Sequence, residues 1–247
     1  MNIHIKNIIK KILYKLGWDL YRFTPSSSPQ MQIITALKNE KINIIFDIGA
    51  NVGQFAKDLR TAGYGDQIVS FEPLSTARAS LLDIAKIDKK WQVHDQAAIG
   101  DQDGEIMINV SENSVSSSVL PMKDLHLSAA PTSAFISSEK VPVYKLDSIS
   151  EKYLNKDSRL FIKIDTQGFE WEVLNGAKNT ISRASGIICE LSLVPLYDNQ
   201  RLWREIIDRL DSEGFMLWAL QKGFTDQKTG QSLQMDGIFL RKKKGER

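Results

Sequence analysis

The sequence predicts an α/β fold: a doubly wound sheet, mostly parallel, with helices on both faces. Three observations predict it. Short, wholly apolar runs rich in β-branched residues recur along the chain, as strands buried on both sides require. Helix-period stretches separate them. The first such run ends in a glycine turn that leads into a helix, "FDIGANVGQF", residues 46–55.

Taken in order, residues 31–38 read as a helix and "INIIF", 42–46, as the first strand. A helix over 54–62, the strand "QIVSF", 67–71, and a helix over 75–87 with Leu81, Leu82 and Ile84 inward follow. "WQVHDQAAI", 91–99, contains a third strand. A turn and a strand over 100–110 then break the rhythm. Residues 111–138 are rich in Ser, Ala and Pro and hold no period, which predicts a functional loop or disorder. "KVPVYKL", 140–146, reads as a strand and 147–154 as a helix capped by Asp147 or Ser148. The alternation resumes with a strand over 159–164, a helix over 169–181 and a strand over 186–191. A helix over 199–211 aligns Leu202, Ile206 and Leu210. Two last strands, 215–220 and 235–241, are joined through a Gly-containing turn that suits an antiparallel pair.

A chain of 247 residues fits one such domain, 30–241, between an N-terminal helix with its linker, 1–29, and a basic tail, 242–247. Cys189 is the single cysteine, so no intrachain disulfide forms, and a reducing, cytoplasmic setting is expected. The net charge is +2, yet residues 1–23 and 241–247 carry +4 each, so the body between them carries −6. A nucleic-acid binder would spread basic charge over a folded face, so nucleic acid is not expected as a partner. Ile5, Ile8, Ile9, Ile12, Leu13 and Leu16 form one helical stripe, with lysines mostly off it. Lysines also cut every apolar run short of a secretory signal. Such a helix fits an anionic inner membrane surface, or the flank of its own domain or of a second subunit in a homo-oligomer. Surface helices of globular domains show the same stripe, which favours the flank.

The strand ends carry the chemistry. Asp47 ends the first strand, Gly49 and Gly53 make the turn, and Gln54 and Phe55 open the helix. No Lys follows the second glycine, so this is no GxxxxGK[ST] phosphate loop. Asn51 stands where a dinucleotide fingerprint needs its middle glycine. An acid upstream repels phosphate but welcomes a cation or an amine, and S-adenosylmethionine offers both. The second strand ends "SFEP": Glu72, followed by Pro73, can accept hydrogen bonds from both ribose hydroxyls. In "HDQAAIG", Asp95 or Gln96 can bond an adenine amino group, and Ala97 and Ala98 leave room beside the ring.

In these features the chain resembles the FkbM family of class I S-adenosylmethionine-dependent methyltransferases. "FDIGANVGQF", "FEP", "AAIGDQDGEI", "NSVSSSVL", "VPVYKLDSI" and "IKIDTQGFEWEVLNGA" carry the resemblance across residues 42–195. It implies a Rossmann-like, seven-stranded sheet with the final strand antiparallel. It also implies O-methylation of sugar hydroxyls or natural-product alcohols, and puts Asp47, Gly49, Asn51, Gly53 and Glu72 on cofactor positions. The family often reads I-D-x-E-G where this chain has Gln167 in place of the Glu. A neutral amide cannot be a base, which tells against any mechanism that needs a carboxylate there.

A hydroxyl acceptor needs somewhere for its proton to go. Asp165 ends the fourth strand beside the methionine end of the cofactor and is the first candidate base. Glu190, ending the fifth, is the second, and His94, on the adenine side, the third. Asp165 could instead cap the following helix. Asp165 with Glu190 could also hold Mg²⁺, although no spacing signature supports a metal. One cysteine and three scattered histidines do not make a zinc site. Glu172 belongs to the first turn of a helix for reasons of its dipole. The loop 111–138 is the expected acceptor side. There Asn113, Ser114, Ser116, Ser117 and Ser118 can bond a polyol, beside Gln167 and Glu190, and His126 can swing over the site. Trp171, Trp203 or Tyr197 could stack on a sugar, though core packing is the commoner role. The expected activity is O-methylation of a glycan or glycolipid precursor. A soluble natural product as acceptor, or cofactor binding without catalysis, stand as the alternatives.

Overall fold

The structure, a computed structural model, describes residues 3–19 and 24–243. Arg22 and the last four residues of the basic tail lie outside the described residues. Helix α1 (Ile3–Lys15) precedes the domain, and α2 (Pro29–Asn39) opens it, its first turn capped by Ser28. β1 (Ile44–Ile48), α3 (Gln54–Thr61), β2 (Gln67–Phe71), α4 (Ser75–Ala85) and β3 (Trp91–Val93) form the first half. A middle segment holds β4 (Ala98–Ile99), β5 (Gly104–Ser111), α5 (Asp124–Ala129), β6 (Phe135–Tyr144) and α6 (Leu146–Ile149). The second half runs through β7 (Leu160–Ile164), α7 (Glu170–Asn175), α8 (Lys178–Arg183), β8 (Ala184–Ser192), α9 (Trp203–Ser212), β9 (Phe215–Lys222) and β10 (Gln234–Arg241).

The main sheet has seven strands in the order β3-β2-β1-β7-β8-β10-β9, with β10 antiparallel to both neighbours and the pairs from β3 to β8 parallel. This is the expected Rossmann-like sheet. The strand order reverses between β1 and β7, so a crevice opens beyond the carboxyl ends of those strands. The central strands are mostly apolar because each covers two cores. Phe46, Ile162 and Ile187 face α7, α8 and α9; Ile45, Phe161 and Ile188 face α2, α3 and α4. Leu81 joins the second core, but Leu82, expected inward, is exposed.

The middle segment departs most from expectation. The run 91–99 is two strands, not one: β3 stays in the main sheet, and β4 leaves it for a separate three-stranded sheet ordered β4-β6-β5. The serine-rich stretch is largely built rather than loose. Ser118 bridges to Asn109, α5 follows, and β6 begins at Phe135. The helix expected over 169–181 is broken in two at Gly176. There a Cβ would lie 1.8 Å from the Gly100 carbonyl oxygen, so only glycine permits the close approach. Asp147 does not cap its own helix. Its carboxylate accepts the Asn179 and Thr180 N–H groups and so caps α8, while the Ser148 hydroxyl donates to Asp103.

Among the described residues no helix is long and apolar enough to cross a membrane. Nor does α1 pack on the flank of its own domain. Ile8, Ile12 and Leu16 on its stripe are all more than half exposed.

Candidate functional site

A cavity of about 350 Å³ lies at the switch point, beyond the carboxyl ends of β1, β2 and β7. Its floor begins at Gly49, whose φ of 74° is left-handed and whose absent Cβ would sit 1.9 Å from the Asp165 carbonyl oxygen. The turn can therefore lie flat against the end of β7. Asn51, also left-handed, directs its N–H to Glu72 Oε2 at 2.7 Å, and the Leu74 N–H reaches Oε1 at 2.8 Å. Burial pushes the Glu72 carboxyl up to about 7 against those two bonds. Asn51, Gln54, Phe55, Pro73 and Ala97 all line the cavity, as the strand-end reading expects.

Five of the proposed cofactor and base contacts lie elsewhere. Asp47 is fully buried, does not reach the cavity, and faces Lys163 Nζ at 3.4 Å and the Ser70 hydroxyl at 3.3 Å. The cation it welcomes belongs to its own chain. Burial pushes its carboxyl up, with Lys163 opposing. A Cβ on Gly53 would meet Leu81 and Trp91, so this glycine serves helix packing. The Asp95 side chain is 88% exposed, near Arg78. The Gln96 amide is consumed by the Pro73 carbonyl and Glu139. His94 is a core histidine bonded to the Tyr153 hydroxyl and stacked near Phe71; burial, aided by Lys152, lowers its pKa.

At the other end, four polar side chains converge. Gln167, left-handed at φ 55°, donates its amide to Asp165 Oδ1 at 2.8 Å and to both Glu190 oxygens at 3.1–3.2 Å. Its carbonyl oxygen faces the Tyr197 hydroxyl at 3.1 Å. One amide thus ties two acids together and is itself oriented by a buried phenol. Asp165 lines the cavity and does not cap α7; Glu190 stands behind Gln167 and does not line it. Burial, with Asp165 and Glu170 nearby, holds the Glu190 carboxyl well above its usual range. Glu170 instead accepts the Thr166 and Gly168 N–H groups and tightens the turn before α7.

Two residues that the sequence reading passed over complete this end. Lys163 lines the cavity, almost wholly buried, between Asp47 and Asp165, each at 3.4 Å, and donates to the Gly49 carbonyl at 2.8 Å. Burial would lower its pKa, but the two acids override that and raise it. Asp236, on β10, also lines the cavity. Among the described residues its side-chain carboxylate has no hydrogen-bond or salt-bridge partner. Burial, then Asp165, pushes its carboxyl up to about 6. Both residues left a signal: a charge inside an apolar strand, "LFIKI" and "MDGIFL", which an apolar core does not tolerate without a reason.

The acceptor loop divides. Ser114, Ser117 and Ser118 line the cavity, and the Ser118 hydroxyl donates to the Gln167 backbone carbonyl at 2.6 Å. Asn113 and Ser116 do not line it; they bond each other and Ser133 beneath the loop. His126 is buried against Tyr197 and Phe224, not poised over the site, and burial lowers its pKa to about 4. Trp171 lies under Arg201 and Arg209, Trp203 packs on the core, and Tyr197 is fully buried. Among the described residues no group of three or more His, Cys, Asp or Glu is arranged to hold a metal.

Residues 47–217 match the family described as methyltransferase FkbM domain. A curated relative, the 2-O-methyltransferase NoeI of Sinorhizobium fredii (strain NBRC 101917 / NGR234), is 29% identical over 202 residues, which span 76% of this chain and 79% of that protein. Among solved structures, methyltransferase FkbM from Methylobacillus flagellatus KT aligns with a TM-score of 0.48 and 13% identity, over 88% of this chain. This chain spans 45% of its length. An S-adenosylmethionine-dependent methyltransferase from Mesorhizobium loti aligns with a TM-score of 0.47 and 10% identity, over 88% of this chain and all of its own.

Proposed function

Because the chain belongs to the FkbM methyltransferase family, we propose that it moves a methyl group from S-adenosylmethionine to a sugar hydroxyl of a glycan or glycolipid precursor. The single observation that carries the acceptor half is Asp236, a cavity-facing carboxylate with no protein partner among the described residues and a carboxyl pushed up to about 6. A base poised near the working pH, with free lone pairs, is what a hydroxyl needs before it can attack. The 2-O-methyltransferase relative supports an oxygen acceptor.

The cavity fits the donor. Gly49 lets the turn lie against the end of β7, and Glu72, which lines the cavity, keeps lone pairs beyond its two N–H bonds. Leu74, Ala97, Ala98 and Ile108 offer an apolar slot for a ring. When bound, S-adenosylmethionine supplies a methyl group on a positively charged sulfur that leaves readily. The protein's work is then alignment and proton removal. Asp165, held by Lys163 and Gln167, accepts a hydrogen bond from the incoming polyol and fixes its approach. Asp236 takes the proton of the reacting hydroxyl. Ser114, Ser117 and Ser118 hold neighbouring hydroxyls on the open side.

Incubation with methyl-labelled S-adenosylmethionine and a cell glycan extract tests the reading. Label is expected in an alkali-stable ether on sugar. Label confined to small, lipid- and glycan-free products would replace the glycan acceptor with a soluble one. Absence of cofactor binding by calorimetry at millimolar ligand would remove the donor assignment.

A further inference from the structure

Among the described residues, helix α1 is the one long helix whose apolar stripe has no cover. α2 buries Ile33, Ile34 and Leu37; α9 buries Ile206 and Leu210. On α1 and the residue that follows it, Ile8, Ile12 and Leu16 recur at helical spacing and are 55–68% exposed, with Trp18 at 70% just beyond. Lys10, Lys11 and Lys15 surround that stripe, and Asp19 is the only acid in the described part of the segment. An exposed apolar stripe edged with lysines and ending in a tryptophan has the chemistry of a bilayer interface with anionic headgroups. A second copy fits less well, because it would set lysines against lysines.

The fold fixes the start of α2, the helix that follows α1 in the chain. Gln221 pairs in register with Asp236, so it lies at the cavity edge of the sheet. Its amide donates to the Pro29 carbonyl at 3.1 Å and to Gln32 Oε1 at 2.9 Å, which fixes the start of α2 at that same edge. The C-terminal segment leaves at the other edge, where Lys243 pairs with Glu40 and Arg241 bonds the Ala184 carbonyl. The start of α2 and the end of β10 are therefore at opposite edges of the sheet.

We propose that α1 seats the protein on an anionic lipid bilayer, and that it does so from the edge of the sheet that carries the cavity. The tail takes no part in this contact. The proposal does not rest on the acceptor's identity and is read without any methyl transfer.

Flotation of the full chain with vesicles tests it, using phosphatidylcholine alone and phosphatidylcholine doped with phosphatidylglycerol. Binding is expected only to the doped vesicles and is expected to weaken with added salt. Lys11→Gln and Lys15→Gln should each lower affinity about fivefold, the ratio for a basic residue near a charged membrane. Ile12→Asp should abolish flotation with an unchanged melting temperature, since Ile12 touches no core. Replacing Lys242 and Lys243 with Gln should change nothing. Equal binding to both vesicle types, or none to either, overturns the proposal. So does self-association in light scattering that Ile12→Asp removes without any vesicle binding, because the stripe would then be a contact between copies.

Discussion

The two ends of the cavity are built in opposite ways. At the β1–β2 end the ligand-facing groups are short, local and already satisfied: a left-handed turn and a carboxylate that holds the Asn51 and Leu74 N–H groups. At the β7–β8–β10 end they are side chains brought together from residues 163 to 236, and one acid is left without a partner among the described residues. The first arrangement is preorganised to bind. The second keeps charge available for a proton. Changes at the first end should move affinity, and changes at the second should move turnover.

Asp236→Asn tests that division most severely. The amide keeps the shape and removes the base, so kcat should fall by about 10²- to 10⁴-fold, with cofactor affinity unchanged by calorimetry. In the wild type, kcat/KM should rise with pH through about 6 as the carboxyl loses its proton, since only the ionised form accepts another. The variant should lose that limb. A variant as active as wild type would return the base role to Asp165 or Glu190.

Lys163 spans the seam between the ends, and Lys163→Met should damage both. It leaves Asp47 buried without its cation, and removing one partner of a buried pair costs about 3–5 kcal/mol. Chemical denaturation should show that loss, and Asp165 should lose one of its two holds. Glu72→Gln tests the other side of the division. Its amide must point a donor at either the Asn51 or the Leu74 N–H, and one charge-assisted bond of about 1.5–3 kcal/mol disappears. Cofactor Kd should rise about 10- to 100-fold, with a smaller change in kcat at saturation. An unchanged Kd would place the ribose elsewhere.

The same contrast explains what could be read from the sequence. The β1–β2 end was legible because its parts lie within one turn: Gly49, Asn51 and Glu72 occupy strand ends whose order the alternating pattern fixes. Even there Asp47 misled, since a strand-end acid looks the same whether it faces a ligand or a lysine 116 residues away. Asp95 and Gln96 failed for a different reason. The chain leaves the main sheet between β3 and β4, and that departure turns both side chains from the cavity. At the far end the sequence marks Asp165, Gln167 and Glu190 but carries no sign of their joining. The pairing of β8 with β10, which sets Glu190 opposite Asp236, crosses 46 residues and leaves no local trace. At the helix break, likewise, only glycine fits at 176, because the distant Gly100 carbonyl lies where its Cβ would be.

Gln167→Glu should have the smallest effect and says most about the joining. The wild-type amide donates to Asp165 and to Glu190 at once while its oxygen faces Tyr197. A carboxylate there would be a third acid against two others, in a site where burial already holds the Glu190 carboxyl high. The new acid should therefore take up a proton on folding, and its pKa should stand above the unfolded value. A raised acid contributes stability that is present below its unfolded pKa and lost as pH rises through its folded pKa. The variant should come nearest the wild-type melting temperature near pH 4, where the protonated carboxyl still donates to one of the two acids, and fall further below it by pH 8. Its kcat should follow the same course, within about tenfold of wild type at the acid end, the equivalent of one hydrogen bond. A melting-temperature difference that does not change with pH would mean that the amide's donation is not what ties Asp165 to Glu190. A variant equal to wild type at every pH would mean that the acids need no tie at all.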